Sequence, residues 1–277
     1  MSQLLFSGLV VLGSFLGGVL GSMSGLGGGV VIVPLLALLF HVNLHYAIGA
    51  SLISVIATSS GSAAAYVREG YSNLRIGMFL EIATTIGALC GAWLSTRVPT
   101  AGIAIVFGLV LLYSVYLSLR RRSRAVPVHD PWSDRLKMNG SFPVAPGQRR
   151  EYSVTHISGG FGAMFGAGTL SGLLGIGSGA VKVLAMDSIM HIPFKVSTTT
   201  SNFMIGVTAA ASAGIYLRKG YIVPALAAPV MLGILPGALL GAKLLVKSQS
   251  RTLRWIFSAV ILVLAVEMIY NGWMGKI

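Results

Sequence analysis

Residues 15–94 recur as residues 165–244, in register and without a gap, with 23 of the 80 pairs identical. The matches include Gly25/Gly175, Gly27/Gly177, Gly29/Gly179, His41/His191, Ser51/Ser201 and Thr58/Thr208, and close on a shared YxRxGY that pairs Arg68 with Arg218. Composition bias inflates glycine matches but does not produce an ordered tyrosine–arginine motif twice. The chain is therefore a duplication, and any fold it adopts must build two like halves around a central segment.

What each half is made of fixes the solvent. Of the 27 charged residues, eleven lie between Arg120 and Glu151, leaving sixteen for the other 245 positions. A soluble domain of ordinary composition has about 25% charged residues; this chain has 10%, with 55% hydrophobic. Apolar runs at 3–22, 30–40, 46–67, 75–95 and 100–119 are followed by others at 154–172, 180–192, 197–217, 222–246 and 253–273. A bilayer-spanning helix needs roughly 20 apolar residues. The expectation is an all-α polytopic membrane protein in the lipid bilayer, with repeats at 1–119 and 153–277 and a basic linker at 120–152. Met1 to Leu5 carries no Lys or Arg, so the first run reads as a membrane segment rather than a leader. The linker, with Pro127, Pro131, Pro143 and Pro146, reads as loosely ordered.

The net charge of +13 would suggest nucleic acid in a soluble protein. Here Arg120, Arg121, Arg122 and Arg124 follow an apolar run directly and read as a topogenic cytoplasmic anchor, with no nucleic-acid partner. The lone Cys90 excludes a paired-thiol shuttle within the chain. Run 30–40 covers only about 17 Å as a helix, against a core of about 30 Å, and reads as a half-helix returning to its starting face. Each half then crosses an odd number of times, and the halves are inverted repeats of four to five helical segments. That arrangement puts fifteen basic residues on the linker side and four opposite, against thirteen and six for parallel halves.

Chemistry concentrates at three places. Gly27, Gly28 and Gly29 interrupt one apolar run, and Gly177, Ser178 and Gly179 interrupt its counterpart. Paired breaks of this kind point to a transporter's central site, where restarting helices offer N–H groups to an anion near the midplane. Close helix packing is the alternative use of such glycines. Lys182, where the first half has Ile32, reads either as a cation for an anionic substrate or as the partner of Asp187. Ser51, Thr58, Ser201, Asn202 and Thr208 would complete a neutral shell, Ser51/Thr58 and Ser201/Thr208 each being two helical turns apart. Glu81, Asp187 and Glu267 are the acids able to carry coupling protons or to pair with a lysine. His41 and His191 read as interfacial rather than metal-binding, and Arg68 and Arg218 as anchors at helix ends. No metal or cofactor is expected. The sequence has no HExxH, no paired cysteines and no GxxxxGK[ST] loop, which leaves an enzyme or an ATP-driven pump without a motif.

At these residues the chain resembles the sulfite exporter TauE/SafE family, also called the TSUP permeases. The family's glycine-rich motif ending in proline is matched by Gly21 to Pro34, while in the second half Ser178 replaces a glycine and Leu184 the proline. The similarity covers residues 5–272 apart from the linker. The resemblance implies a multi-pass permease of the bacterial inner membrane carrying sulfite, sulfoacetate or related organosulfonates. Export is the direction it favours, with uptake or passive anion permeation as alternatives. Substrate, coupling ion and oligomeric state are not legible in the residues.

Overall fold

A computed structural model describes residues 3–24, 27–68, 70–119, 131–145, 148–247 and 251–276. The first half comprises α1 (Gln3–Ser24), α2 (Gly29–Pro34), a π-helical turn (Leu35–Leu39), α3 (Leu44–Arg68), α4 (Leu74–Ser95) and α5 (Thr100–Leu119). Between the halves lie α6 (Pro131–Arg135) and a hairpin of β1 (Gly140–Ala145) and β2 (Gln148–Tyr152). The second half repeats the first: α7 (Ile157–Leu174), α8 (Gly179–Leu184), a π turn (Ala185–Ile189), α9 (Phe194–Arg218), α10 (Pro224–Lys247) and α11 (Arg251–Trp273). The bounds of α2, its π turn and α3 recur 150 residues later to the residue. The chain is an all-α membrane protein: among the described residues five helices are long and apolar enough to cross a bilayer. Their exposed faces carry large apolar side chains such as Leu12, Leu16, Ile82, Ile86 and Leu232, as lipid contact requires.

Each half begins with a helical hairpin. Gly17 lies against Val31 and Ile32, Gly13 against Leu35, and the Phe6 ring 5.0 Å from that of Phe40, so α2 and its π turn double back along α1. The bend needs glycine, since Gly27 has φ +80° and its N–H reaches the carbonyl of Gly21. In the second half Gly175, Gly177 and Ser178 all take positive φ. Pro34 ends α2 where a proline lacks the N–H for a continued ladder. Leu184 replaces it in the second half and the π turn forms all the same, so the proline is not what makes it. His41 and His191 follow the π turns in the left-handed conformation and redirect the chain into α3 and α9.

The halves interlock through equivalent contacts. Helix α1 packs on α10 and α7 on α4, while α3 meets α9 and α5 meets α11. The beginning of α3 touches the end of α9: His45 stacks on Tyr221, and Gly49 lies against the Tyr221 carbonyl. The end of α3 meets the beginning of α9: the Thr199 hydroxyl donates to the Tyr71 carbonyl, and Lys195 sits over the Tyr71 ring. Gly49 and Thr199 are counterparts, as are His45 and Lys195, and Tyr71 and Tyr221. The two equivalent helices thus run antiparallel through reciprocal contacts.

The linker differs from its expectation. Residues 120–130, with Arg120 to Arg124, lie outside the described residues, but 131–145 and 148–152 form an ordered cap. Asn139 organises it, accepting from Ser133 Oγ and the Val154 N–H and donating to Asp134, while Met138 and Val154 are buried beneath. Asn73 fastens the cap to the bundle. Its Oδ1 caps α4 by accepting from the Ile76 N–H, and its Nδ2 donates to the Met138 carbonyl and to Tyr152 Oη at 2.8 Å. Arg75 adds a bond to the Lys137 carbonyl. Prolines and charges misled the reading because two apolar anchors and one asparagine suffice to order a short hairpin against a larger body. Burial pushes the Tyr152 phenol up from its ordinary pKa, against the opposing pull of the Asn73 bond.

Candidate functional site

The two hairpins point their bends at each other between α3 and α9. A Cβ on Gly29 would lie 2.5 Å from Ser51 Oγ and 2.9 Å from the Gly175 carbonyl oxygen; one on Gly27 would lie 2.9 Å from Ile205. Gly177 meets Val55 and Ile205, and Gly28 meets Ile234 and Thr58. The two glycine segments thus lie close to each other and to α3 and α9, and all the described members are buried. Gly25 lies outside the described residues. Ser51 donates to the Gly175 carbonyl at 2.7 Å across this junction, and Ser201 to the Gly179 carbonyl. Those two hydroxyls, one from each half, clasp the second bend. Thr58 donates to the Ser54 carbonyl within its own helix, and Asn202 Nδ2 to the Thr198 carbonyl.

Charge enters on one side only. Lys182, one turn into α8, is fully buried, and its ammonium donates to Thr208 Oγ1 on α9. The Thr208 hydroxyl donates to Glu81 Oε1 on α4 at 2.6 Å, and Glu81 Oε2 stands 4.0 Å from Lys182 Nζ. Thr85 adds a longer bond to Oε1. The carboxylate facing Lys182 therefore comes from the other half of the chain, 101 positions away, whereas Asp187, which the spacing offered, sits half-buried in the π turn. Ser178, which accepts the Lys182 N–H at its carbonyl, has a buried hydroxyl without a partner among the described residues. So do Glu81 Oε2, Thr198 Oγ1 and Asn202 Oδ1. The counterparts of Lys182, Thr208 and Glu81 are Ile32, Thr58 and Met231, so the first half builds the same crossing without charge.

The remaining sequence candidates lie elsewhere. Glu267 is exposed on α11, and Arg218 is exposed at the end of α9. His191 Nδ1 pairs with Thr155 Oγ1 at 2.7 Å, beside His156. Thr84 and Thr85 were not anticipated; they lie three and four residues after Glu81, the positions that share its helix face. Tyr216 was missed as well. It is buried across the bundle, donating to Ser95 Oγ and the Gly172 carbonyl, and the signal for it was its place in the repeated YxRxGY.

Comparison with known proteins agrees with this architecture. The model of the family described as sulfite exporter TauE/SafE matches residues 10–268. The chain belongs to the TauE/SafE family. Among TauE/SafE-like relatives, it is 31% identical to the probable membrane transporter protein YunE of Bacillus subtilis (strain 168), over 95% of this chain and 97% of that one. It is 27% identical to YdhB of the same organism, also named a probable membrane transporter protein, over 85% and 89% of the two chains. A probable membrane transporter protein of Xylella fastidiosa (strain 9a5c) is 24% identical over 96% of each. No solved structure matches. This member of TauE/SafE is thus a membrane transporter by family and by its relatives' names.

Proposed function

We propose that this protein is a secondary transporter of small sulfur-containing oxyanions such as sulfite, sulfoacetate or related organosulfonates across a bacterial inner membrane. The linker 120–152 is placed on the cytoplasmic side, and the two repeats are inverted across the bilayer. The observation that carries the reading is the buried Lys182 of the second hairpin, bonded to Thr208 of its own half and facing Glu81 of the other. A full positive charge is costly inside a membrane and is kept there for pairing or for a permeating anion.

Bonded to it is the Thr208 hydroxyl, and one turn before it lies the buried hydroxyl of Ser178, neutral groups able to take over part of an oxyanion's hydration shell. The bends of Gly27–Gly29 and Gly177–Gly179 are packed tightly between α3 and α9. Their close packing favours a carrier in which the halves rock about this junction over a pore with a standing path. The antiparallel crossing of α3 and α9 supports the inversion, since it turns equivalent helices to opposite directions.

Counterflow in proteoliposomes tests this. Vesicles loaded with unlabelled sulfite should accumulate labelled sulfite transiently and saturably, with sulfoacetate competing and chloride not. A flux that saturates weakly and lacks trans-stimulation would instead mark a channel. Absence of exchange by protein shown to be folded would refute the assigned substrate class.

A further inference from the structure

We infer that Glu81 is the proton carrier of this transporter, so that an anion arriving at Lys182 brings one proton to the Glu81 carboxylate. The inference rests on the reading of Lys182 as the anion's cation. The Lys182–Glu81 pair is bridged rather than direct: the ammonium reaches the Thr208 hydroxyl, and that hydroxyl reaches Oε1. A lysine ammonium has three donors, and Thr208 takes one. On the other side Glu81 Oε2 has no hydrogen-bond partner among the described residues, although the residue is 7% exposed. Buried polar valences left open in a native structure call for an explanation. An oxyanion filling the open side of Lys182 supplies one.

Charge balance then dictates the rest. Empty, the site holds one ammonium and one carboxylate and is neutral. A monovalent anion on Lys182 leaves the Glu81 carboxylate as an uncompensated buried charge, which such surroundings do not tolerate. Taking a proton from the aqueous phase at Oε2 turns it into a carboxylic acid, restores neutrality and supplies an O–H donor facing the anion.

Among the described residues, no other ionisable group packed against Glu81 offers compensation. Helix α7, packed along α4, contains no ionisable residue. Helix α9 carries Lys195 over the Tyr71 ring, Tyr216 bonded to Ser95, and Arg218 exposed at its end. Helix α8 carries Lys182, with Asp187 in the π turn beyond. On α4 itself Arg75 is committed to the Lys137 carbonyl. At the symmetry-related crossing, where Ile32 of the first half and Met231 of the second stand at these positions, neither charge is present.

The test uses the full chain in proteoliposomes with labelled sulfite. An imposed gradient of one pH unit, acid on the side of addition, should raise wild-type accumulation about tenfold above that of Glu81→Gln vesicles, as one coupled proton requires. Comparing the two proteins cancels the titration of sulfite itself. The pH dependence of whatever exchange Glu81→Gln retains should follow the titration of sulfite alone. Equal responses of the two proteins to the gradient would overturn the inference. Should Glu81→Gln fail to fold, wild-type protein in weakly buffered detergent decides: sulfite preset to the same pH should draw about one proton from solution per bound anion, relative to sulfite added to buffer alone. Counterflow without that proton uptake would remove Glu81 as carrier while leaving the transporter reading intact. No sulfite counterflow in the wild type would remove both.

Discussion

The Lys182–Thr208–Glu81 cluster and its uncharged counterpart Ile32–Thr58–Met231 form a control experiment within one chain. Removing one member of a buried ion pair strands the other, at a cost of roughly 3–5 kcal/mol. Lys182→Ile should therefore lower the unfolding temperature in detergent markedly, and adding Glu81→Met, which copies the first half, should restore most of the loss. Both proteins should be inactive in counterflow. A single variant as stable as the wild type would mean that the pair is not charged in the resting protein. Lys182 was legible in the sequence because a lysine inside an apolar run is conspicuous. Its partner was not, because Glu81 lies in the other half and Met231 breaks the repeat that would have flagged it. Ser51 and Ser201 were legible as a matched pair but not as clasps, since their acceptors are carbonyls, which every residue possesses.

Among the helices, backbone proximity decides stability. A Cβ on Gly91 or Gly172 would stand 2.0 Å from a carbonyl oxygen of the facing helix, at the seam between α4 and α7; Gly87 and Gly168 are as tight. The seam between α1 and α10 repeats this at Gly233 and Gly237. Gly172→Ala should destabilise by about 1–3 kcal/mol, the usual cost of overpacking. Gly162→Ala, on the same helix α7 with nothing within 4 Å of the added carbon, should instead stabilise by roughly 0.5–1 kcal/mol. Thermal unfolding of the two variants side by side checks the opposite signs. These seams are written in the sequence as glycines four apart on helices, a known device for close approach between membrane helices. The conspicuous clusters at 27–29 and 177–179 drew the functional reading and hid the quieter spacing.

For the molecule as a whole, the apolar runs foretold most element bounds to within about three residues, and the duplication foretold that the elements of one half would recur in the other, because a repeated hydrophobic pattern repeats its solution. The cap over residues 131–152 was not foretold, since its order comes from Asn73, Arg75 and Met138 acting across the chain rather than from local pattern. In a Cys90→Ser background, cysteines at the exposed positions Gln148 and Lys219 should react with an impermeant thiol reagent from opposite sides of the membrane if the halves are inverted. Labelling of both from one side would make the halves parallel. Two identical inverted halves would give a machine with no preferred stroke, its two access states equal in energy. The cap, tied by Asn73 and Arg75 to one end of the bundle, occurs once in a duplicated body, so the two ends of the molecule are not interchangeable.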